Sequence, residues 1–248
     1  MATRLYVAPD RLVAGALTVD GDDFHYLVRV LRLRVDAAVQ LFDGAGRQAT
    51  ARIAQVGADE AVLDVGACEP AQDIRAGAAR VHALVPLIKG ERMAWCVQKL
   101  VELGVSSIRP LTLERCVVRL EGDKALARRD RYQSIAQAAA RQCRRGAVPE
   151  IAPIDTLGPA LADVQEFALK IVFWEGSTGR SLRSVVPEEG VADIAVLVGP
   201  EGGLTTEEVD AAITAGFLPA GLGPRILRAE TAAVAAVSIL GYELGDLG

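Results

Sequence analysis

Three short stretches in the C-terminal third hold the residue types that could do chemistry: FWEGSTG (173–179), GPEGG (199–203) and GLGPRILRAETA (221–232). Each follows an apolar run, and two combine Gly-Pro with charged residues. Glycine lets a ligand come close to the backbone, and the bared N–H and C=O groups can read the edge of a flat heterocycle. The polar side chains singled out among them are Glu201, Arg228, Glu230 and Thr231. An arginine stays charged at physiological pH and offers a planar fork of donors, which suits an anion that builds up during reaction. Such a set fits binding an activated cofactor and orienting a group transfer better than hydrolysis. Taken singly, each stretch reads as an ordinary strand-to-helix turn; three in consecutive units point to a site.

Other chemistries find no residues to carry them. GSTGRS is not the G-x-S-x-G of a nucleophile elbow, and neither a G-x-x-x-x-G-K-[ST] phosphate loop nor H-E-x-x-H occurs. The only histidines are His25 and His82, and the four cysteines are scattered without a C-x-x-C pair, so no metal site and no disulfide framework is expected. GAGRQA (44–49) fits a dinucleotide fingerprint but leads into the alternating ATARIAQV, where the fingerprint demands a helix. Asp43-Gly44 is instead a hairpin turn.

The elements that must position these residues follow from hydrophobic period. Up to residue 66, short runs such as 49–56 and 61–65 alternate as half-buried strands do. One amphipathic helix interrupts them, with Phe24, Leu27, Val28 and Leu31 on one stripe and His25, Arg29 and Arg32 on another face. A small β-barrel with a basic surface follows. That surface is either a solvated face or one that contacts phosphates. The Ala-, Gly- and Pro-punctuated stretch 67–79 marks a linker, bounded at 71–79, between residues 1–70 and a second domain, 80–248. From Arg80, near-continuous apolar strands alternate with helices, the pattern of a parallel α/β sheet covered on both faces. Ligands of such sheets lie beyond the carboxyl ends of the strands, where all three stretches fall. Between Lys124 and Arg145 seven bases stand against one acid on a long helix, although the whole chain carries a net charge of −5. This helix too is either a solvated face or an RNA-facing one.

LVGPEGGLTTEEV (197–209) followed by LGPRILRAETAA (222–233) resembles the paired signature of the RsmE family, S-adenosylmethionine-dependent methyltransferases acting on N3 of a uridine in 16S ribosomal RNA. HYLVRVLR (25–32), FDG (42–44), KGERMAWCVQKLVELGV (89–105), PLTLERC (110–116), and AARQCRR with VPEI (139–151) fall in the family's order. The resemblance implies a PUA-like β-barrel followed by a SPOUT-type parallel sheet with a C-terminal trefoil knot. By motif match, Leu197, Val198, Gly199, Pro200, Glu201, Gly202 and Gly203 form one wall of a pocket for S-adenosyl-L-methionine. Leu222, Gly223, Ile226, Leu227 and Arg228 form the second wall, and Phe173, Trp174 and Glu175 the third.

Catalysis is expected of Arg228, with Glu230 and Thr231 orienting it or assisting proton removal; Arg225 is the rival, and a structural ion pair at a helix end is the alternative. His25, Arg29, Arg32, Arg128, Arg131, Arg141, Arg144 and Arg145 are the candidate RNA contacts. Arg141 departs from the family's usual Glu, which strengthens the RNA reading of that helix. The implied partners are the small ribosomal subunit and a second copy of the chain, because the final helix is apolar nearly all round and needs cover on every side. A different SPOUT target, such as a ribose 2′-oxygen, or a non-catalytic assembly factor are the competing functions. No apolar run is long enough to span a membrane and the N-terminus lacks a signal region, so the chain reads as cytoplasmic.

Overall fold

Alternation of apolar and polar residues makes the N-terminal third a sheet. In the computed structural model, which describes residues 3–71, 79–174, 176, 182–186 and 191–247, its strands are β1 (Thr3–Tyr6), β2 (Gly15–Asp20), β3 (Ala38–Phe42), β4 (Arg47–Val56), β5 (Glu60–Val65) and β6 (Glu69–Pro70). Their order is β1-β3-β4-β5-β2, with β6 beside β4; β1 runs parallel to β3 and the other pairs are antiparallel. Inward side chains from five strands, Leu5, Leu17, Leu41, Ile53 and Leu63 among them, meet in one apolar core. The sheet thus curls around its own core, as a small barrel does.

The 43–46 segment is a turn between antiparallel strands, so the fingerprint-like GAGRQA binds no pyrophosphate at a helix end. Asp43 is buried there and accepts from Ala45 N at 2.8 Å, Arg47 N at 2.9 Å and Arg47 Nε at 2.6 Å. Burial pushes its carboxyl up, but the bonds from Arg47 and Ala45 outweigh this and hold it below the usual carboxylate range.

The helix expected over residues 24–31 takes another form. A single α-helical turn, α1 (Gly21–Phe24), passes into a π-helical turn, His25–Val30, in which Leu31 N–H donates to Tyr26 O five residues back at 3.0 Å. The wider turn changes which residues share a face. Phe24 and Leu27 are buried, but Leu31 is exposed, and Arg32 has already left the helix with φ 55°. The anticipated His25–Arg29–Arg32 helical face is therefore not formed.

The second sheet contains β7 (Arg80–Pro86), β8 (Ser107–Leu111), β9 (Glu150–Ile151), β10 (Leu169–Phe173), β11 (Asp193–Val198) and β12 (Leu218–Ala220). All are parallel, in the order β12-β10-β11-β7-β8-β9. Helices α2 (Glu91–Glu102), α3 (Gly122–Cys143), α4 (Leu157–Asp163), α5 (Thr206–Thr214) and α6 (Ala229–Glu243) connect or follow the strands. Near-continuous apolar strands are buried on both faces: Ile194 to Val198 of β11 are all buried. The T-x-x-E signal at Thr205 forms a complete capping box, Glu208 N–H donating to Thr205 Oγ1 and Thr205 N–H to Glu208 Oε2. Asp123 lies inside the first turn of α3.

The edge strand β12 pairs with β10, whereas α6 packs on α2, β7, β11 and the turn Leu182–Ser184. Residues 221–228 must therefore return across the carboxyl ends of β10 and β11, the path that knots a SPOUT domain. Two compact units result, Met1–Arg75 with Ala140–Val148, and Ala76–Ala139 with Pro149–Gly248. The last turn of α3 and the segment after it thus belong to the first unit: Ala147 bridges to Gly44, and Val148 N–H donates to Gly44 O at 2.8 Å. Most of the linker expected at 71–79 lies outside the described residues.

Candidate active site

Because β12, β10 and β11 are adjacent and parallel, their carboxyl ends bring the three chemistry-bearing stretches to one end of the sheet. Phe173 closes β10 and is buried; Trp174 N–H donates to Ala220 O at the end of β12 at 3.3 Å. A Cβ on Gly176 would lie 2.4 Å from the Trp174 ring, so a side chain there would force the indole to move. Glu175, expected as the third member of this wall, lies outside the described residues.

The 199–203 loop needs glycine for reasons within the protein itself. Leu197 and Val198 are buried in β11, and Pro200 is buried at the start of the loop. A Cβ on Gly199 would meet Leu204 Cγ at 3.0 Å, and one on Gly202 would meet Arg115 Cβ at 3.0 Å. Gly203 has φ 73°, a left-handed conformation that side chains disfavour. Arg115 Nη1 donates to Gly202 O at 2.9 Å. Next to it, Glu114 N–H donates to Glu208 Oε1 at 2.8 Å, tying the segment after β8 to the capping box of α5.

Glu201 has a definite partner. Arg92 Nη2, in the first turn of α2, lies 2.8 Å from Glu201 Oε1, and Arg92 Nη1 lies 3.6 Å from Glu230 Oε1. Glu230 is buried at the start of α6, and its Oε2 is buried without a hydrogen-bond partner. Burial, with the charge of Glu230, pushes the neighbouring Cys96 thiol up to about 12, so it remains a protonated, unreactive thiol at neutral pH. The expectation that Glu230 orients Arg228 meets a different arrangement: Glu230 turns inward to Arg92, while Arg228 and Thr231 are exposed. Arg228 makes no ion pair or side-chain hydrogen bond with another described residue. Its backbone is extended and its carbonyl accepts from Ala232 N–H at 2.8 Å, so it stands at the N-terminal boundary of α6.

Residues 222–227, expected to form the second wall, are open backbone. None of these residues hydrogen-bonds to another described residue, Gly223 has φ 95°, and Ile226 is 86% exposed. Leu222 and Leu227 are half-buried. Unspent peptide donors and acceptors beside apolar side chains are the groups that grip a flat nucleoside. Arg92 and Arg115 were not singled out by sequence reading, although they lie in KGERMAW and LERC, and Glu208 was read only as the acid of the T-x-x-E helix start. The signal for the two arginines was a charged residue inside an otherwise unexplained motif.

Of the candidate RNA contacts, several have partners within their own unit. Arg29 Nη2 donates to Ala58 O at 3.0 Å, with its guanidinium 5.6 Å from the Phe24 ring centroid. Arg141 stacks over Tyr26 at 4.9 Å, and Arg131 pairs with Glu91 at 2.7 Å. His25, Arg32 and Arg144 are exposed; Arg128 and Arg145 are half-buried. Among the described residues no cluster of His, Cys, Asp and Glu could hold a metal ion, and no helix is long and apolar enough to cross a membrane.

An RNA methyltransferase domain model matches residues 76–241, and an RNA methyltransferase PUA domain model matches residues 19–66. The ribosomal RNA small subunit methyltransferase E of Bacillus subtilis is 30% identical over 93% of this chain and 91% of its own length. The chain belongs to the ribosomal RNA small subunit methyltransferase E family. The family member from Synechocystis is 31% identical over 96% of this chain and 77% of its own. The crystal structure of the family member from Neisseria gonorrhoeae, solved bound to S-adenosyl methionine, superposes with a TM-score of 0.84 at 30% identity, covering 98% of both chains. A PUA-like barrel followed by a SPOUT-type parallel sheet is thus the architecture of the family as well as of this molecule.

Proposed function

We infer that this chain transfers the methyl group of S-adenosyl-L-methionine to N3 of a uridine in 16S ribosomal RNA of the small subunit. The observation that carries the reading is the meeting of the 199–203 loop, the open backbone of 222–227 and the Phe173-Trp174 pair at one end of three adjacent parallel strands. The named relatives, and the one crystallised with S-adenosyl methionine, support it. When bound, the cofactor supplies a methyl group on an electron-poor sulfur. The open peptide groups of 222–227 and the side chains of Leu222, Ile226 and Leu227 suit its adenosine part. Uracil N3 bears a proton and is a poor nucleophile until that proton leaves. As it leaves, negative charge spreads over the two carbonyl oxygens of the base. Arg228, exposed and with no side-chain ion pair or hydrogen bond among the described residues, is the group we assign to stabilise that charge.

The barrel is assigned to RNA binding, through phosphate contacts that position rather than specify. A homodimer is assigned through the C-terminal helix, and the site of action is the cytoplasm, where ribosomal subunits are made.

The test uses 16S RNA from a strain lacking this protein, incubated with purified protein and cofactor. Methylation at N3 blocks Watson–Crick pairing, so reverse transcription acquires a new stop at one uridine. RNA from the deletion strain that already carries the full stop refutes the assignment. Resistance to alkaline cleavage in place of a stop would move the target to a ribose 2′-oxygen.

A further inference from the structure

We propose that Arg92 is a positioning residue whose single guanidinium sets the separation of two walls of the cofactor pocket. The proposal rests on the functional reading above. Glu201 belongs to the 199–203 wall; Glu230 opens α6, directly after the 222–228 wall. The two carboxylates come from separate stretches of chain and carry like charge, so without a cation between them they would repel across a partly buried gap. Arg92 supplies that cation, with one nitrogen 2.8 Å from Glu201 Oε1 and another 3.6 Å from Glu230 Oε1. Guanidinium geometry is required for this. A planar fork reaches two acceptors from one fixed centre, whereas an ammonium is a point charge on a flexible stem.

The packing around Arg92 fixes its origin. Met93, Cys96, Val97 and Leu100 bury the inner face of α2, and α2 packs on α6. The base of the Arg92 side chain is therefore rigid with respect to α6, and its tip ties down the loop. From the far side, Arg115 holds the same loop through Gly202 O. Glu230 gains no other partner among the described residues: its Oε2 is buried and unbonded. Losing Arg92 would leave a buried carboxylate with no counter-charge. The loop would then shift away from α6, and the pocket would widen.

Cofactor affinity is measured by calorimetry on the full chain, and methyl transfer by kcat and KM at varied cofactor. Arg92→Met is expected to raise the cofactor Kd and KM by about tenfold or more, because a widened pocket loses binding contacts that are equal in the ground and transition states. At saturating cofactor, kcat is expected to stay within about threefold, since the guanidinium does not act on the reacting atoms. Glu201→Gln is expected to raise Kd in the same direction, and the double variant to be no worse than Arg92→Met alone, as members of one network behave. Arg92→Lys, which retains charge and the packing of the stem, is expected to fall between wild type and Arg92→Met. It serves with Glu201→Gln if Arg92→Met does not fold.

Unchanged cofactor affinity in the folded variants would overturn the proposal, as would effects of Arg92 and Glu201 that multiply independently. A fall in kcat with affinity intact would assign Arg92 to the reaction or to RNA. If wild type itself fails to bind S-adenosyl-L-methionine, the functional reading fails rather than this one.

Discussion

Arg228 and Arg92 divide two roles that the same residue type can play. Arg92 spends its charge on two carboxylates inside the protein, whereas Arg228 is exposed and has no ion pair among the described residues. A side chain that stabilises little in the resting protein can be removed at little cost to folding. Arg228→Ala is therefore expected to slow single-turnover methyl transfer by roughly a hundred-fold or more, as loss of one electrostatic donor does. Its melting temperature should stay close to wild type, and any loss of cofactor affinity should be far smaller than the loss of rate. A preserved rate would move the role to Arg225 or to a residue of the other subunit. Glu230 cannot be grouped with Arg228 as a catalytic pair while its carboxylate faces Arg92.

Two elements of the first unit show local chemistry deciding local shape. The β3–β4 turn closes on Asp43, whose buried carboxylate takes three hydrogen bonds, one of them the ion pair with Arg47. In Asp43→Asn one carboxylate oxygen becomes an NH₂ facing the Arg47 Nε–H donor. The expected cost is about 1–3 kcal/mol in urea unfolding at pH 7. The pH dependence has a fixed sign. The folded pKa of Asp43 is depressed, so its contribution is complete above the unfolded value near 3.9 and is lost as pH falls through the lower folded value. Wild type and Asp43→Asn should therefore converge in stability below about pH 4, and equal stabilities already at pH 7 would contradict the role. The other element is the π-helical turn His25–Val30, which holds Arg29 against Ala58 O and leaves Arg32 outside the helix. A side chain with an internal acceptor has fewer donors left for phosphate, so Arg32 and His25 are the freer members of that trio.

At the scale of the whole molecule the last helix matters most. α6 buries Ala233, Ala236, Val237 and Leu240 within its own unit, yet Ile239 is 38% and Tyr242 69% exposed. Trp95, on the neighbouring α2, is 44% exposed. Large apolar side chains on the outer sides of two packed helices call for cover, and a second copy is the cover we assign. Light scattering is expected to report a dimer at micromolar concentration. Ile239→Asp combined with Tyr242→Asp should convert it to a monomer by placing charge on that surface. A wild-type monomer, or a double variant that stays dimeric, would remove α6 from the interface.

Residue order alone carried the period of the strands, the capping box of Thr205 and Glu208, the hairpin turn at Asp43 and the clustering of the three functional stretches at strand ends. These depend on neighbours a few residues apart, and spacing reports such neighbours directly. The family signature added the knot and the expectation of where the pocket walls lie, neither of which periodicity can reveal. Tertiary structure alone decided the rest. It wound residues 25–30 as a π-helical turn, joined 140–148 to the first unit and turned Glu230 toward Arg92 and away from Arg228. Arg92 and Glu201 are 109 positions apart. Nothing in their local sequence pairs them. They meet because β7 and β11 are neighbours in a parallel sheet, and the elements leaving the carboxyl ends of adjacent strands arrive at the same place.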